Sequence, residues 1–250
     1  PAAEFVVKSG SSDGHATGPR GVEIGFQPDV VIVDNAGGGT SSDNAVIATS
    51  TMGGLAKQLD TSSAATTGVV ALTSTGISVG AAPEVNGSGS TLHYVAFKAA
   101  AGSLAVGSYT GNGSAQAITG VGFAPAYVIV VPESGQLPLQ YLEGMGSRSF
   151  SLSFYASGIL GLDSDGFRVG SATQANASGV KYHWVAWGGS SGQVTVGSYA
   201  GDGAISRSIG RTGFIPEWVV VSSNLSYGPR HKPASTGVNS SSSLLFTFRG

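Results

Sequence analysis

The same nine-residue block occurs three times along the chain, and few folds are compatible with such a pattern. The block begins with Gly-Phe-x-Pro and continues with a run of Val, Ile and aromatic residues, at 25–33, 122–130 and 213–221. Its copies are 97 and 91 residues apart. A unit of this size is small for an independent domain and buries its apolar faces more completely against neighbouring copies. We therefore predict a tandem-repeat protein.

Three further blocks recur around these copies in a constant order. They are a turn block of the type Val-Gly-Ser-Tyr, a Gly-x-x-Val-Gly block and a Val-Ala block. The turn block lies at 106–113 and 196–203 with a degenerate copy at 7–14, the Gly-x-x-Val-Gly block at 76–80 and 166–170, and the Val-Ala block at 92–97 and 182–187.

The order of the blocks divides the chain into three parts. We predict one complete repeat at 1–98, a second at 99–189 and a partial or atypical third at 190–250. The third part contains no counterpart of residues 159–187. Strands without their neighbours leave apolar faces and open sheet edges. The question for this part of the chain is therefore what covers its faces and edges.

The repeated segments have the character of strands. They are four to eight residues long, rich in β-branched and aromatic residues, and bounded by Gly, Asn, Asp and Pro. We predict an all-β fold of tandem antiparallel β-sandwich repeats, two complete and one partial. Within it, Phe26, Phe123 and Phe214 are each expected to be largely buried and to anchor their repeat.

Composition excludes several classes of function. Charged residues make up 10% of the chain, the formal net charge is −2 and there is no Cys. A basic footprint for nucleic acid is absent, and no apolar run approaches the roughly 18 residues of a spanning helix, so we expect neither nucleic acid nor membrane insertion. Low charge together with 37 Ser and 17 Thr suits an extracellular protein or a virion surface.

The sequence has no arrangement that is typical of an enzyme or of a cofactor site. Disulfides and thiol chemistry are excluded without Cys, and the four His have no ligand spacing on one element. No phosphate-binding loop or recurring acidic pair is present. We therefore expect no enzyme activity and no cofactor. A secreted hydrolase, the least favoured alternative, would need an acidic or Ser-His cluster in a cleft.

Two sets of residues are candidates for contact with sugars. His93 and His183 occupy the same place in the Val-Ala block, where both faces of the strand are apolar, so we predict hydrogen-bonded His in or near the core. Contact with a glycan is the alternative, with His183, Trp187 and Tyr199 as its residues.

Five of the seven Asn begin an Asn-x-Ser triplet. These triplets indicate either Ser-rich turns or glycosylation, with Asn86, Asn176 and Asn224 as candidates.

Four blocks together resemble the domains repeated in phage tail-fibre and virion-surface proteins. They are Val-Gly-Ser-Tyr-Thr-Gly-Asn-Gly, Gly-Phe-Ala-Pro-Ala-Tyr-Val-Ile-Val, Asp-Gly-Phe-Arg-Val-Gly and His-Trp-Val-Ala-Trp in the second repeat. The resemblance covers nearly the whole chain and implies a structural role on a particle surface. The order of the strands is also similar to the H-type lectin fold, a small sandwich that assembles as trimers and binds N-acetylgalactosamine-type sugars. No sugar-binding residue is carried over, because the turn block and the truncated third repeat depart from that pattern.

The two ends of the chain predict how copies would associate. The opening strand is expected to lack its partner, since its counterpart in a later repeat should pair with the preceding Val-Ala strand. The last repeat lacks its closing strands, unless the native chain continues past residue 250 or the third repeat has a shorter closed form. Open apolar edges are templates for strand addition. We therefore expect a homo-oligomer or fibre whose interface includes Phe5, Val7, Leu244, Phe246 and Phe248.

The function that these observations favour is a non-enzymatic structural surface protein, a virion, tail-fibre or extracellular filament subunit that assembles through β-strand edges. The alternative is a carbohydrate-binding adhesin or lectin that binds surface glycans. The absence of catalytic residue patterns favours the first function, and the exposed aromatic candidates keep the second open.

Overall fold

The two complete repeats fold into the same arrangement of antiparallel strands. Strands and loops dominate, with only two helical turns of four residues among the described residues, so the all-β prediction is confirmed. The structure is a computed structural model that describes residues 4–36, 45–146, 148–188, 192–210, 212–223, 229–237 and 244–245.

The strands are numbered along the chain. The first repeat contains β1 (Val6–Asp13), β2 (Arg20–Glu23), β3 (Val30–Asn35), β4 (Val46–Thr49), β5 (Leu55–Gln58), β6 (Thr66–Thr67), β7 (Val70–Leu72), β8 (Gly76–Val79), the helical turn α1 (Pro83–Asn86) and β9 (Thr91–Lys98). The second contains β10 (Leu104–Thr110), β11 (Gln116–Thr119), β12 (Pro125–Pro132), β13 (Leu139–Leu142), β14 (Ser149–Phe150), β15 (Phe154–Tyr155), β16 (Ile159–Asp163), β17 (Gly166–Val169), α2 (Thr173–Asn176) and β18 (Lys181–Gly188). The third contains β19 (Trp218–Val221), β20 (Arg230–Pro233) and β21 (Leu244–Leu245).

Each complete repeat is a sandwich of a six-stranded and a three-stranded sheet. The large sheets have the orders β1-β9-β3-β4-β5-β6 and β10-β18-β12-β13-β14-β15, and the small sheets β2-β8-β7 and β11-β17-β16. The Val-Ala strand, β9 or β18, lies between the turn-block strand and the Gly-Phe-x-Pro strand and is antiparallel to both. The last strand of a repeat therefore becomes the second strand of its sheet.

Both faces of the large sheets are covered. On the outer face, alternate residues of the Gly-Phe-x-Pro strand pack against the small sheet of the same repeat, as Val128 and Val130 do against Phe167. On the inner face, the other residues meet the neighbouring repeats in one shared cluster that includes Ile32 and Ile129. Two-sided burial explains why these strands are continuously apolar.

The shared cluster lies where the three repeats meet. Positions four residues after the repeated Phe converge there as Val30, Tyr127 and Trp218. The Trp218 ring lies 5.4 Å from Phe97 and 5.8 Å from Trp187, measured between centroids. The third repeat is therefore docked against the other two by its Gly-Phe-x-Pro strand, although its described residues form only three strands.

Each of two edge strands is covered by the neighbouring repeat. The 3-10 turn Ser50–Met52 of the first repeat packs on β10, and Ala234–Thr236 of the third packs on β1. In each case a hydroxyl at the centre of the turn reaches a His of the Val-Ala strand. Thr51 Oγ1 lies 2.9 Å from Nδ1 of His183, and Ser235 Oγ lies 3.0 Å from Nδ1 of His93.

The third repeat forms only a three-stranded sheet of order β19-β20-β21 among its described residues. Residues 192–210 include the turn block and contain no strand. In the complete repeats this block pairs with the Val-Ala strand, and the 250 residues contain no third copy of that strand. The described part of the third repeat has no closing strand of its own.

The prediction that the opening strand lacks a partner is wrong. It pairs with β9, the last strand of its own repeat, with Val6 opposite Lys98 and Gly10 opposite Tyr94. The second repeat pairs in the same way, with Gly107 opposite Trp184. Gly10 is therefore the counterpart of Gly107, and the first copy of the turn block lies at 9–16, two residues after the predicted 7–14. The opening strand is an edge strand with a partner, because a repeat closes on itself instead of on the preceding one.

The predicted burial of the repeated Phe is also wrong. Phe26 and Phe123 are only half-buried, and Phe214 is exposed. All three precede the strand rather than forming part of it, so they lie at the rim of the outer core. Phe214 is the most exposed of the three, and the described residues of the third repeat form no small sheet over it.

Candidate functional site

A cavity of about 750 Å³ lies along the third repeat. Val194 and Val196 of the turn block line it on one side, and Trp218 and Val220 of β19 line it on another. Phe97, at the end of the first repeat, also lines it. We call this cavity the third-repeat groove.

The groove has the neighbours that a missing central strand would have. In the second repeat, β18 fills the space between β10 and β12, and in the first, β9 fills the space between β1 and β3. In the third repeat the two flanking segments are present without a described strand between them. Val194 and Val196 are half-buried while Thr195 between them is exposed, the alternation of an extended segment.

The outer face of the third repeat is uncovered as well. Val219 and Val221 are 36% and 43% exposed, whereas their counterparts Val128 and Val130 are completely buried under the small sheet. Among the described residues, the large hydrophobic side chains with exposures of 36% or more all lie between 199 and 221. Exposed apolar residues that are confined to one region make it a candidate interaction surface.

A buried polar network anchors the third repeat to the first. His231 Nε2 lies 2.9 Å from Oδ2 of Asp34, and Trp218 Nε1 donates to His231 Nδ1 at 3.1 Å. Nearby, the carboxylate of Glu217 accepts hydrogen bonds from the amide and hydroxyl of Ser9. Burial and the neighbouring His231 lower the pKa of His93. These contacts hold β19 and β20 in place beside the groove.

A hydroxyl, an imidazole and a carboxylate form a chain between the first two repeats. Thr51 Oγ1 contacts His183 Nδ1, and His183 Nε2 lies 2.8 Å from Oε1 of Glu133. Burial lowers the pKa of His183, an effect that the hydrogen bond to Glu133 partly opposes. His183 is completely buried, and none of the three residues lines the groove. The chain of hydrogen bonds joins the first two repeats.

The predicted glycan-contact residues are not brought together. His183 is a hydrogen-bonded core residue, as its two apolar faces predict, and Trp187 is 2% exposed, so glycan contact by either side chain is wrong for this fold. Tyr199 is exposed, and the guanidinium of Arg207 lies 5.6 Å from the centre of its ring. Trp187 contributes instead to the wall of the third-repeat groove.

Two of the predicted glycosylation sites are wrong. Asn86 and Asn176 are completely buried. The Asn176 amide donates to the backbone oxygens of Gly170 and Ser114, and its oxygen accepts from the amide of Asn112. A glycan on such a nitrogen would have to occupy the core. The third candidate, Asn224, lies outside the described residues.

The predicted interface residues have different outcomes. Phe5 and Val7 pack within their own chain, where Phe5 stacks on Phe97 at 6.4 Å, and both line the groove. Leu244 is half-buried on β21, the edge of the third sheet. The other two, Phe246 and Phe248, lie outside the described residues. An intermolecular role of the described three stays a prediction.

Sequence reasoning missed two buried charged groups. Asp34 lies in a strand of Val and Ile, and Lys57 in a strand two places away in the same sheet. The Lys57 ammonium donates to the backbone oxygens of Ser63 and Ser134, and burial lowers its pKa to about 8. A charged residue within an apolar strand is the signal that could have identified both.

Among the described residues, no group of three or more His, Asp and Glu could hold a metal ion, and no helix has the length and apolar character needed to cross a membrane.

Comparisons with known proteins add a family but no function. No curated protein and no solved structure matches the chain. One family profile, described as a domain of unknown function (DUF7483), matches residues 1–136, which include the whole first repeat and the β10 to β12 part of the second. The match spans more than half of the chain, and the protein therefore belongs to the DUF7483 family.

Proposed function

We propose that this protein is a non-enzymatic structural component of a virion, tail fibre or extracellular filament, and that it assembles through β-strand edges. The observation that carries the proposal is the third-repeat groove, where two segments that normally flank a strand are present without it. A sheet with an open position is a template for strand addition.

The distribution of exposed and covered edges supports this function. The edge strands β1 and β10 are each covered by a turn of the neighbouring repeat. The third repeat is different, since it combines an open sheet position with exposed Val219 and Val221. An extracellular or virion-surface location is part of the proposal and is consistent with the low content of charged residues.

Oligomer mass tests the proposal directly. We expect light scattering to give a multimer or fibre whose mass increases with concentration, and electron microscopy to show its form. Introducing Val219→Glu together with Val221→Glu should reduce the mass to that of a monomer, because carboxylates would be placed on the contact face. The control is Ser114→Glu with Ala115→Glu, in the exposed loop before β11 and away from any strand, which should assemble normally. A wild-type monomer at every concentration would refute the function.

The alternative function, a carbohydrate-binding adhesin, now rests on Tyr199 alone, which is 50% exposed. A glycan array with the purified protein tests it. Reproducible binding that is lost in Tyr199→Ala would favour the adhesin over the structural protein.

A further inference from the structure

We propose that the third-repeat groove binds an extended polypeptide segment of the Val-Ala type, one that resembles Lys181–Gly188, as a central strand antiparallel to both flanks. The proposal rests on strand-mediated assembly and adds the chemistry and direction of the incoming segment. The partner is a strand of another polypeptide chain, because no described strand of this chain lies in the groove. Its features follow from what the groove lacks in comparison with the two complete repeats.

A glycine of the turn block identifies one side chain of the partner. A Cβ added to Gly107 would lie 2.2 Å from the ring of Trp184, and one added to Gly10 would lie 2.2 Å from the hydroxyl of Tyr94. These positions must be Gly because an aromatic side chain of the Val-Ala strand lies against them. Gly197 is their counterpart, and a Cβ there would have no atom within 4 Å. The described residues thus leave space beside Gly197 for an aromatic side chain.

A second glycine of the turn block, four residues after the first, indicates where the segment leading into the incoming strand would lie. In the complete repeats, a Cβ on Gly14 or Gly111 would collide with the backbone oxygen of Gly87 or Ala177, in the segment that leads into the Val-Ala strand. Their counterpart Gly201 again has open space. By analogy with β18 against β10, the partner is expected to run antiparallel to the turn block.

The wall of the groove selects apolar side chains on the partner. In the second repeat, Val185 and Trp187 of β18 enter the shared cluster, and in the first, Val95 and Phe97 do so. The incoming strand should likewise present Val and an aromatic residue, two positions apart. The indole nitrogen of Trp187, which lines the groove, is buried without a hydrogen-bond partner among the described residues. A carbonyl of an added chain would satisfy it.

Binding of a peptide tests the proposal. The probe is a fluorescently labelled peptide with the sequence of residues 181–188, titrated against the purified chain and followed by anisotropy. We expect saturable binding in the micromolar range. A peptide carrying Val185→Asp should bind about tenfold or more weakly, since it would bring a carboxylate into the apolar wall. A peptide with Trp184→Gly should also lose affinity, because the space at Gly197 would stay empty.

Two protein variants locate the binding. Gly197→Leu should fill the space reserved for the aromatic ring and reduce binding about tenfold or more. The control is Gly21→Leu on β2, an exposed glycine whose added side chain would also meet open space. A measurement independent of both variants is hydrogen exchange, in which amides of residues 193–200 and 218–221 should become protected when the peptide binds.

Each outcome decides either the inference or the function. The inference fails if the peptide does not bind, or if the Val185→Asp peptide binds as tightly as the original peptide. It also fails if a small apolar dye binds in the groove and the peptide cannot displace it. Suppose that the peptide does not bind, but that the wild-type chain is an oligomer and Val219→Glu with Val221→Glu makes it monomeric. The structural function then stands, and a segment of different sequence, or a second copy of the chain, fills the groove. If the peptide binds a chain that never assembles, the inference stands and the structural function fails.

Discussion

Asp34 of the first repeat and His231 of the third are separated by 197 residues in sequence, yet Oδ2 and Nε2 lie 2.9 Å apart and both side chains are 1% exposed. Trp218 donates to the other ring nitrogen, so His231 uses Nε2–H as the donor to Asp34 and Nδ1 as the acceptor. This contact attaches the incomplete repeat to the complete ones. It sets the position of β19, and with it one flank of the third-repeat groove.

Removal of His231 should detach the third repeat. His231→Ala leaves the buried carboxylate of Asp34 without this donor, and the loss of one member of a buried pair costs about 3–5 kcal/mol. Urea unfolding should show that loss, together with faster hydrogen exchange in β19. His15→Ala, at an exposed His, is the control and should change stability little. Equal stability of the two variants would contradict the anchoring role.

Two equivalent glycines should respond in opposite directions. Gly107→Ala forces a methyl group against the Trp184 ring and should lower the free energy of unfolding by about 3 kcal/mol. Gly197→Ala meets open space and should leave stability unchanged or raise it by about 0.5–1 kcal/mol, through the reduced entropy of the unfolded chain. Thermal or urea unfolding of both variants checks the comparison. A similar loss in both would mean that the space beside Gly197 is not open.

The buried Asn should be structural. Asn176→Ala removes a side chain that bonds several backbone groups, each of which costs about 1–3 kcal/mol when left unsatisfied, so a loss of about 3 kcal/mol or more is expected. Asn112→Ala, at an exposed Asn in the same turn, should cost much less. Chemical denaturation gives both values. Folded protein from a glycosylating host should also show no glycan on Asn176 by mass spectrometry, and a modified native protein would contradict the burial.

Lys57 should make stability depend on pH in the alkaline range. Its pKa is about 8 in the folded protein and 10.5 in the unfolded chain, so folding releases a proton between these values. The free energy of unfolding should therefore rise from about pH 8 to 9.5, by at most about 1.4 kcal/mol per pH unit. Above pH 10 the trend should reverse, because burial raises the pKa of Tyr109 and Tyr127 and the unfolded chain loses their protons first. In Lys57→Met the rise should disappear, and a flat wild-type profile would contradict the assignment.

The family match separates the two complete repeats from the third. Gly10 and Gly107, which each lie against an aromatic residue of the Val-Ala strand, fall within the residues that the DUF7483 profile matches, whereas Gly197 falls outside them.

The repeats, the all-β class and the strand character of the blocks in the two complete repeats could be predicted from the sequence, as could the lack of a counterpart of 159–187 within residues 190–250. The sequence also predicted that His93 and His183 lie in or near the core, because strand alternation places a residue on a face and both faces were apolar. These are local properties. The period of side chains along a strand and the turn residues that bound it are determined within a few residues.

Strand pairing and the contacts of each buried polar group, in contrast, depend on the tertiary structure. The sequence could not indicate that β1 pairs with β9 of its own repeat, or that Asp34 meets His231. The Asn-x-Ser triplet at Asn176 is a local pattern, and its burial depends on strands that are far away in the sequence. The groove follows the same principle, since alternation identifies the apolar face of a strand, while the presence of a neighbour on that face depends on how distant segments pack together.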